Sequence, residues 1–390
     1  MRRFIALALL VAGILTACGS GSATGRPKGA AATRETVASP SGRPAPRSNT
    51  VWMDDVQMVS AEDGWALVWS ANPNGSGNPA LEPAVTRDGG RAWIVVAPSA
   101  ARPLLVSGEA LLYAVSTRRA WIAVNHGDGK STVVFGTRDG GQRWTESNPV
   151  VGYQAVTMDF TGTEQGWLLE SQGEAMAQDP VLVYTTADAG VTWSLLAAGL
   201  PVGCLKTDMA FSPAQVGWIT SDCPVGYQVL VSRDGGAQWA PVQLPLQSSA
   251  CSDGCTAFQP QFAGDTTLIE MGSYPSAAVL LVSTDEGESW QTEAMPSGAG
   301  PYPRVQFFGS ADGLAVSAGS QGVIGPDIYA TADGGLSWTA VPQGRQFGSS
   351  GAEFDFVSPQ AGFAWIANGT GLYRTTDSGR TWTAIVARLG

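Results

Sequence analysis

Seven aspartates pose the first chemical question in this 390-residue chain. Asp88, Asp139, Asp188, Asp234, Asp285, Asp333 and Asp377 each stand in the phrase Ser/Thr-x-Asp-x-Gly-x-x-Trp, from TRDGGRAW at 86–93 to TTDSGRTW at 375–382. The closing tryptophans are Trp93, Trp144, Trp193, Trp239, Trp290, Trp338 and Trp382. Carboxylates gathered at one place cleave glycosidic bonds or hold a hard cation. One carboxylate per phrase, at intervals of 44 to 51 residues, does not supply that gathering. A turn role needs only local partners. Asp accepts hydrogen bonds from backbone N–H groups two residues on, and a preceding Ser or Thr hydroxyl adds another. Asp-Gly and Gly-Gly supply the positive φ that such turns demand. Each phrase therefore reads as a self-contained turn lock with its Trp tucked under the hairpin.

The other reactive side chains gather no better. His126, the single histidine, lies in VNHGDGK with no Ser or Cys partner suggested by spacing, and reads as a solvated loop residue. No phosphate loop, metal cluster or nucleophile elbow occurs, so no catalytic residue, metal or cofactor is assigned. Cys204 and Cys223 lie symmetrically about the turn SPAQ and are expected to pair across a hairpin. Cys251 and Cys255 are expected to close a tight local loop. The redox reading of that pair lacks CxxC spacing and a surrounding βαβ pattern.

The elements that hold these residues form a repeat. Upstream of the phrases come MVSAEDGWALV (58–68), FTGTEQGWLLE (160–170) and FSPAQVGWIT (211–220), with weaker copies elsewhere. Each unit reads as four strands: a short one, a Gly-Trp strand after a polar turn, a third ending at the Ser/Thr, and a fourth opening at Trp. One such unit cannot bury both its faces, so neighbours must stack, and a closed ring removes the exposed ends. The expected fold is all-β: a seven-bladed β-propeller of four-stranded antiparallel blades over residues 51–390.

The N-terminal residues are of a different kind. Arg2 and Arg3 precede an apolar run from Phe4 to Leu15, which ends in Leu15-Thr16-Ala17-Cys18. This segment resembles a bacterial lipoprotein signal. The resemblance implies cleavage after residue 17, lipidation of Cys18, and a cell-membrane protein facing outside the cytoplasm. Four remaining cysteines fit that oxidising setting. Residues 18–50 read as a flexible linker rich in Gly, Ser, Ala, Pro and Thr. Residues 51–390 carry 15 basic against 32 acidic side chains, a charge of −17. Such a globe argues against binding nucleic acid or anionic lipid by itself. The linker carries five basic residues against Glu35 and can lie on anionic head groups, although a solvated spacer is the simpler reading.

The eight-residue phrase is identified as the Asp-box, or BNR repeat, found in sialidases, sortilin-type receptors, some glucanases and the photosystem II stability/assembly factor family. With Gly64-Trp65, Gly166-Trp167 and Gly217-Trp218 upstream, the chain most resembles the last of these, over nearly all of 51–390. The resemblance implies a non-enzymatic protein that helps to assemble or stabilise a membrane complex. The enzymatic relatives transfer poorly. Sialidases carry an Arg-Ile-Pro segment that is missing here, and Arg87, Arg138 and Arg233 fall inside the turns. The relevant glucanases set paired carboxylates between two propellers.

In this strand order the two kinds of polar turn share one face. The opposite face is built from the variable connections, such as SANPNGSGNPALEP (70–83), SQGEAMAQDP (171–180), QLPLQSSACSDGCTAFQP (243–260) and SGAGPYPRVQ (297–306). Tyr153, Tyr227, Tyr274, Tyr302 and Arg304 fall in or beside such connections and are the candidate ligand-binding residues. The expected function is binding or scaffolding of an unidentified protein partner. The alternatives are a carbohydrate-binding envelope protein and a glycosidase of sialidase-like fold.

Overall fold

The computed structural model describes residues 51–71, 79–101, 105, 110–126, 130–173, 179–246, 251–273, 278–300, 302–317, 327–342 and 352–390. The signal segment, Cys18, the linker and Tyr274 lie outside the described residues. No described helix is long and apolar enough to cross a membrane. Strands carry nearly all the regular structure, in antiparallel sheets arranged as a β-propeller.

One group shows the pattern. Gln154–Thr161, Gln165–Ser171, Val181–Thr186 and Ser194–Ala197 pair in chain order, each antiparallel to the last. Two further sheets have the same four-stranded order, and two have five strands. The sheet that begins with Trp52–Met58 takes Arg388–Leu389 as an added parallel strand outside Ala92–Val95. The nine-stranded sheet joins two groups through Cys255–Ala257, which pairs with both Gly217–Cys223 and Thr266–Gly272. Second strands such as Gly64–Trp69 are buried almost throughout, because sheets cover both their faces. Fourth strands such as Gln291–Ala294 face solvent and are polar.

The seven phrases close the same turn. In the first, Thr86 Oγ1 donates to Asp88 Oδ1 at 3.0 Å and accepts the Gly90 N–H at 2.9 Å. Asp88 Oδ1 also accepts the N–H of Arg91 and of Ala92, at 3.0 and 2.9 Å. The Asp therefore reaches N–H groups three and four residues on, not the two expected from an ordinary Asx turn. The Gly at the second of the two central positions explains the longer reach. Gly90, Gly141, Gly190, Gly236, Gly287, Gly335 and Gly379 all have positive φ, which turns the following amides back towards the carboxylate.

The Gly-Trp strand explains why this Gly must lack a side chain. A Cβ on Gly287 would run into the Trp218 ring, which belongs to the preceding group. Trp65, Trp121 and Trp167 likewise reach forward: their Nε1–H groups donate to Ser116 O, Ala189 O and Gly235 O at 2.9, 2.8 and 2.8 Å. Each of these indoles fills the space under the next group's turns. Phe160 and Phe211 then stack on Trp121 and Trp167, with ring centroids 3.8 Å apart in both pairs. The two recurring motifs are thus halves of one joint between neighbouring sheets.

A second set of joints lines the inner strands. Gln57 Nε2 donates to Leu112 O at 2.7 Å while its Oε1 accepts the Ala114 N–H at 2.9 Å. At matching positions, Tyr113 accepts the Phe160 N–H, Asp159 the Phe211 N–H and Gln261 the Phe307 N–H, at 3.3, 2.6 and 2.9 Å. Gln306 accepts the Phe356 N–H at 3.1 Å, and Asp355 accepts the Met58 N–H at 2.6 Å, which joins the last group to the first. Each clasp grips the backbone of the next inner strand. The seventh matching position is Ala210, whose methyl cannot clasp anything.

That gap coincides with the cysteines. Cys204 pairs with Cys223 across the hairpin, and Cys251 with Cys255 in the connection that leads into the bridging strand. Thr207 Oγ1 donates to Ala257 O at 3.0 Å, tying the inner strand to that bridge. A shared sheet and two disulfides replace the missing clasp.

Candidate functional site

The turns between first and second strands meet the seven locked turns at one end of the sheets. Gly89 N–H donates to Glu62 O, and Gly334 N–H to Ala311 O, at 2.8 and 2.9 Å. The connections between second and third strands and between groups therefore share the other end. There the described residues expose Val151, Tyr153, Val202, Val225 and Tyr302, half of the ten exposed large hydrophobic side chains. These side chains lie in or beside the connections and leave apolar surface facing solvent.

Tyr153 is 50 % exposed and held by its backbone: its N–H donates to Ser171 O at 2.7 Å. Tyr227 is turned into the core beside Val242 and Leu244, and its hydroxyl accepts the Leu244 N–H at 3.1 Å. Its place is structural. Tyr302 stands edge-on to Phe258, with centroids 6.3 Å apart. The Arg304 guanidinium lies 5.5 Å from the same Phe258 ring, and its Nη2 is 3.9 Å from Glu353 Oε2. Tyr302, Phe258, Arg304 and Glu353 thus form one cluster at the start of an inner strand, while Tyr153 and Tyr227 sit on other groups.

The charged members of this cluster shape one another. Burial pushes the Glu270 carboxyl up to about 8, against the opposing pull of the Arg304 charge and the Val305 N–H. Glu270 is therefore neutral at pH 7, and its Oε1 is buried without a hydrogen-bond partner. Glu353 is also raised by burial, with Arg304 opposing. On a neighbouring group Lys206 is buried and lowered to about 8, with its Nζ donating to Cys204 O at 2.9 Å. Arg304 is partly exposed and meets the Glu353 carboxylate at 3.9 Å. The arrangement offers an exposed Tyr302 ring with a partly exposed guanidinium nearby, suited to a peptide-like or planar polar group. Glu270 is buried, away from any solvent-borne ligand.

Phe258, Glu270 and Glu353 were not among the residues expected from the sequence. A signal for Glu270 exists in TTLIEMG, where one carboxylate interrupts an otherwise apolar strand. Among the described residues no group of three or more His, Cys, Asp or Glu side chains is arranged to hold a metal ion.

No protein-family model matches the chain, and no curated protein matches it in sequence. Solved structures do share its fold. The structure of YCF48 bound to D1 peptide is 17% identical, with a TM-score of 0.53 over 84% of this chain and 93% of that one. YCF48 from Cyanidioschyzon merolae is also 17% identical, with a TM-score of 0.54 over 85% of this chain and 97% of that one. A prolyl endopeptidase structure is 14% identical, with a TM-score of 0.53 over 86% of this chain and 48% of that one. At these identities the likeness is one of fold.

Proposed function

We propose that the chain is a seven-bladed propeller of four-stranded Asp-box blades, lipidated at Cys18, which binds a protein partner outside the cytoplasm. The nine-stranded sheet counts as two blades in this reading, divided at Cys255–Ala257. The observation that carries the binding assignment is the concentration of exposed apolar and aromatic side chains on the variable-connection face, beside the Arg304 cluster. The YCF48 fold, solved with a peptide bound, supports a propeller that works by holding a segment of another protein. Tyr302 and Arg304 are then contact residues, and scaffolding or assembly of a membrane complex is the role.

The test is affinity purification from gently solubilised membranes, comparing the wild type with a Tyr153→Ala/Tyr302→Ala/Arg304→Ala variant. A discrete partner that is lost from the variant supports the assignment. A partner retained at full yield sinks this face as the contact.

A further inference from the structure

The opposite, turn-bearing end of the molecule divides by charge. Arg374 and Arg380 belong to the last strand group, and Arg87, Arg91 and Arg388 to the first, which adjoins it. The second group adds Arg118, Arg119, Arg138 and Arg143. Nine of the 15 basic residues of 51–390 thus lie in or beside the turns of three consecutive groups, facing five carboxylates. The turns of the other four groups carry Arg233 alone against nine carboxylates. A net charge of −17 averages over this division and so hides it.

Among the described residues, ion pairs join Arg374 to Glu62, Arg87 to Asp63 and Arg143 to Asp139, at 3.0, 3.2 and 2.9 Å. Arg91, Arg119, Arg138 and Arg380 donate to backbone carbonyls, which orient a guanidinium, and Arg91 and Arg380 also act on the nearby Asp88 and Asp377 carboxylates. Arg91, Arg374 and Arg388 outnumber the one carboxylate, Asp88, in a cleft of about 820 Å³ that the hydroxyl-bearing Thr376, Thr381 and Thr383 also line. Guanidinium forks and hydroxyls suit phosphate oxygens.

We infer that this arginine arc is a docking surface for anionic phospholipid head groups. The arc spreads over the turns of three groups, which fits an array of phosphates better than one acidic side chain. Anchorage at Cys18, on which this choice of partner rests, would keep the arc close to such an array. Each basic residue near an anionic bilayer strengthens attachment, and salt screens the effect.

The test uses the full chain carrying Cys18→Ser, so that lipid attachment plays no part. Sedimentation with phosphatidylglycerol vesicles is compared with phosphatidylcholine vesicles, at low and high salt. The arc variant is Arg91→Glu/Arg118→Glu/Arg143→Glu, with the three Gln replacements as a milder form. The linker variant replaces Arg26, Lys28, Arg34, Arg43 and Arg47 by Ser. Expected is salt-sensitive binding to phosphatidylglycerol that weakens at least tenfold in the Glu variant and less in the Gln variant, with both still melting cooperatively. Unchanged binding in the arc variants with loss in the linker variant assigns the affinity to the linker and overturns the inference. So does wild-type binding without preference for phosphatidylglycerol, or tighter binding of poly-glutamate than of the vesicles. Release of the wild-type chain from cell membranes on Cys18→Ser tests anchorage separately.

Discussion

At the residue scale, the recurring Asp acts as a turn lock whose carboxylate must stay ionised. Hydrogen bonds from the Ser289 hydroxyl and N–H, with one from Ser283, hold Asp285 down at about 2. A folded value below the ordinary 3.8 means the contribution is present above pH 4 and is lost as pH falls towards 2. Asp285→Asn is therefore expected to lower the melting temperature at pH 7 and to narrow the gap from wild type near pH 2, read by thermal melts across pH. Glu270 has the opposite sign. Its value of about 8 lies above the ordinary 4.5, so the stability it contributes is full below pH 4.5 and is lost as pH rises through 8. Glu270→Gln should raise the melting temperature by a few degrees at pH 9 and leave it nearly unchanged at pH 5. The Asp positions were legible because their partners lie within four residues. Glu270 was not, because its cost is set by burial among strands distant in sequence, which the Arg304 charge offsets only in part.

Between elements, two different devices hold neighbouring sheets together. The Trp joint was half legible: the Gly-Trp signal stands in the sequence, but its target, the next group's turn, appears only on folding. Truncating Trp121→Ala removes an indole that is 1 % exposed and leaves the Phe160 ring unsupported. A loss of about 3–5 kcal/mol is expected from chemical denaturation. The inner clasps escaped sequence reading altogether, since Gln57, Tyr113, Asp159, Gln261, Gln306 and Asp355 share a place but not a residue type. The gap at Ala210 shows what the cysteines do. The hairpin pairing of Cys204 and Cys223 was legible from symmetry about the SPAQ turn, whereas the strand bridging two groups was not, because its partners come from both sides. Cys204→Ser/Cys223→Ser is expected to cost about 2–4 kcal/mol. Gln57→Ala, which leaves the Ala114 N–H without its acceptor, is expected to cost about 1–3 kcal/mol. If denaturation of the Cys variant is indistinguishable from wild type, the bridging strand and the Cys251–Cys255 loop secure that junction without the hairpin disulfide.

For the whole molecule, the two ends differ in chemistry: one apolar and aromatic, the other split between arginine and carboxylate. Repeat architecture was legible because its period is written seven times. The charge division was not, since adjacency of the first and last groups exists only once the Asp355 clasp and the Arg388–Leu389 strand join them. That junction uses the same clasp as its neighbours, with the Arg388–Leu389 strand added to it. Circular permutants with new ends in the connection between Val151 and Gln154, and the old ends fused by a flexible linker, should fold and melt close to the parent. Ends placed between Val242 and Cys251 are another matter. There the bridging strand makes one indivisible unit of two groups, and the permuted protein would have to complete it last, from opposite ends of its chain.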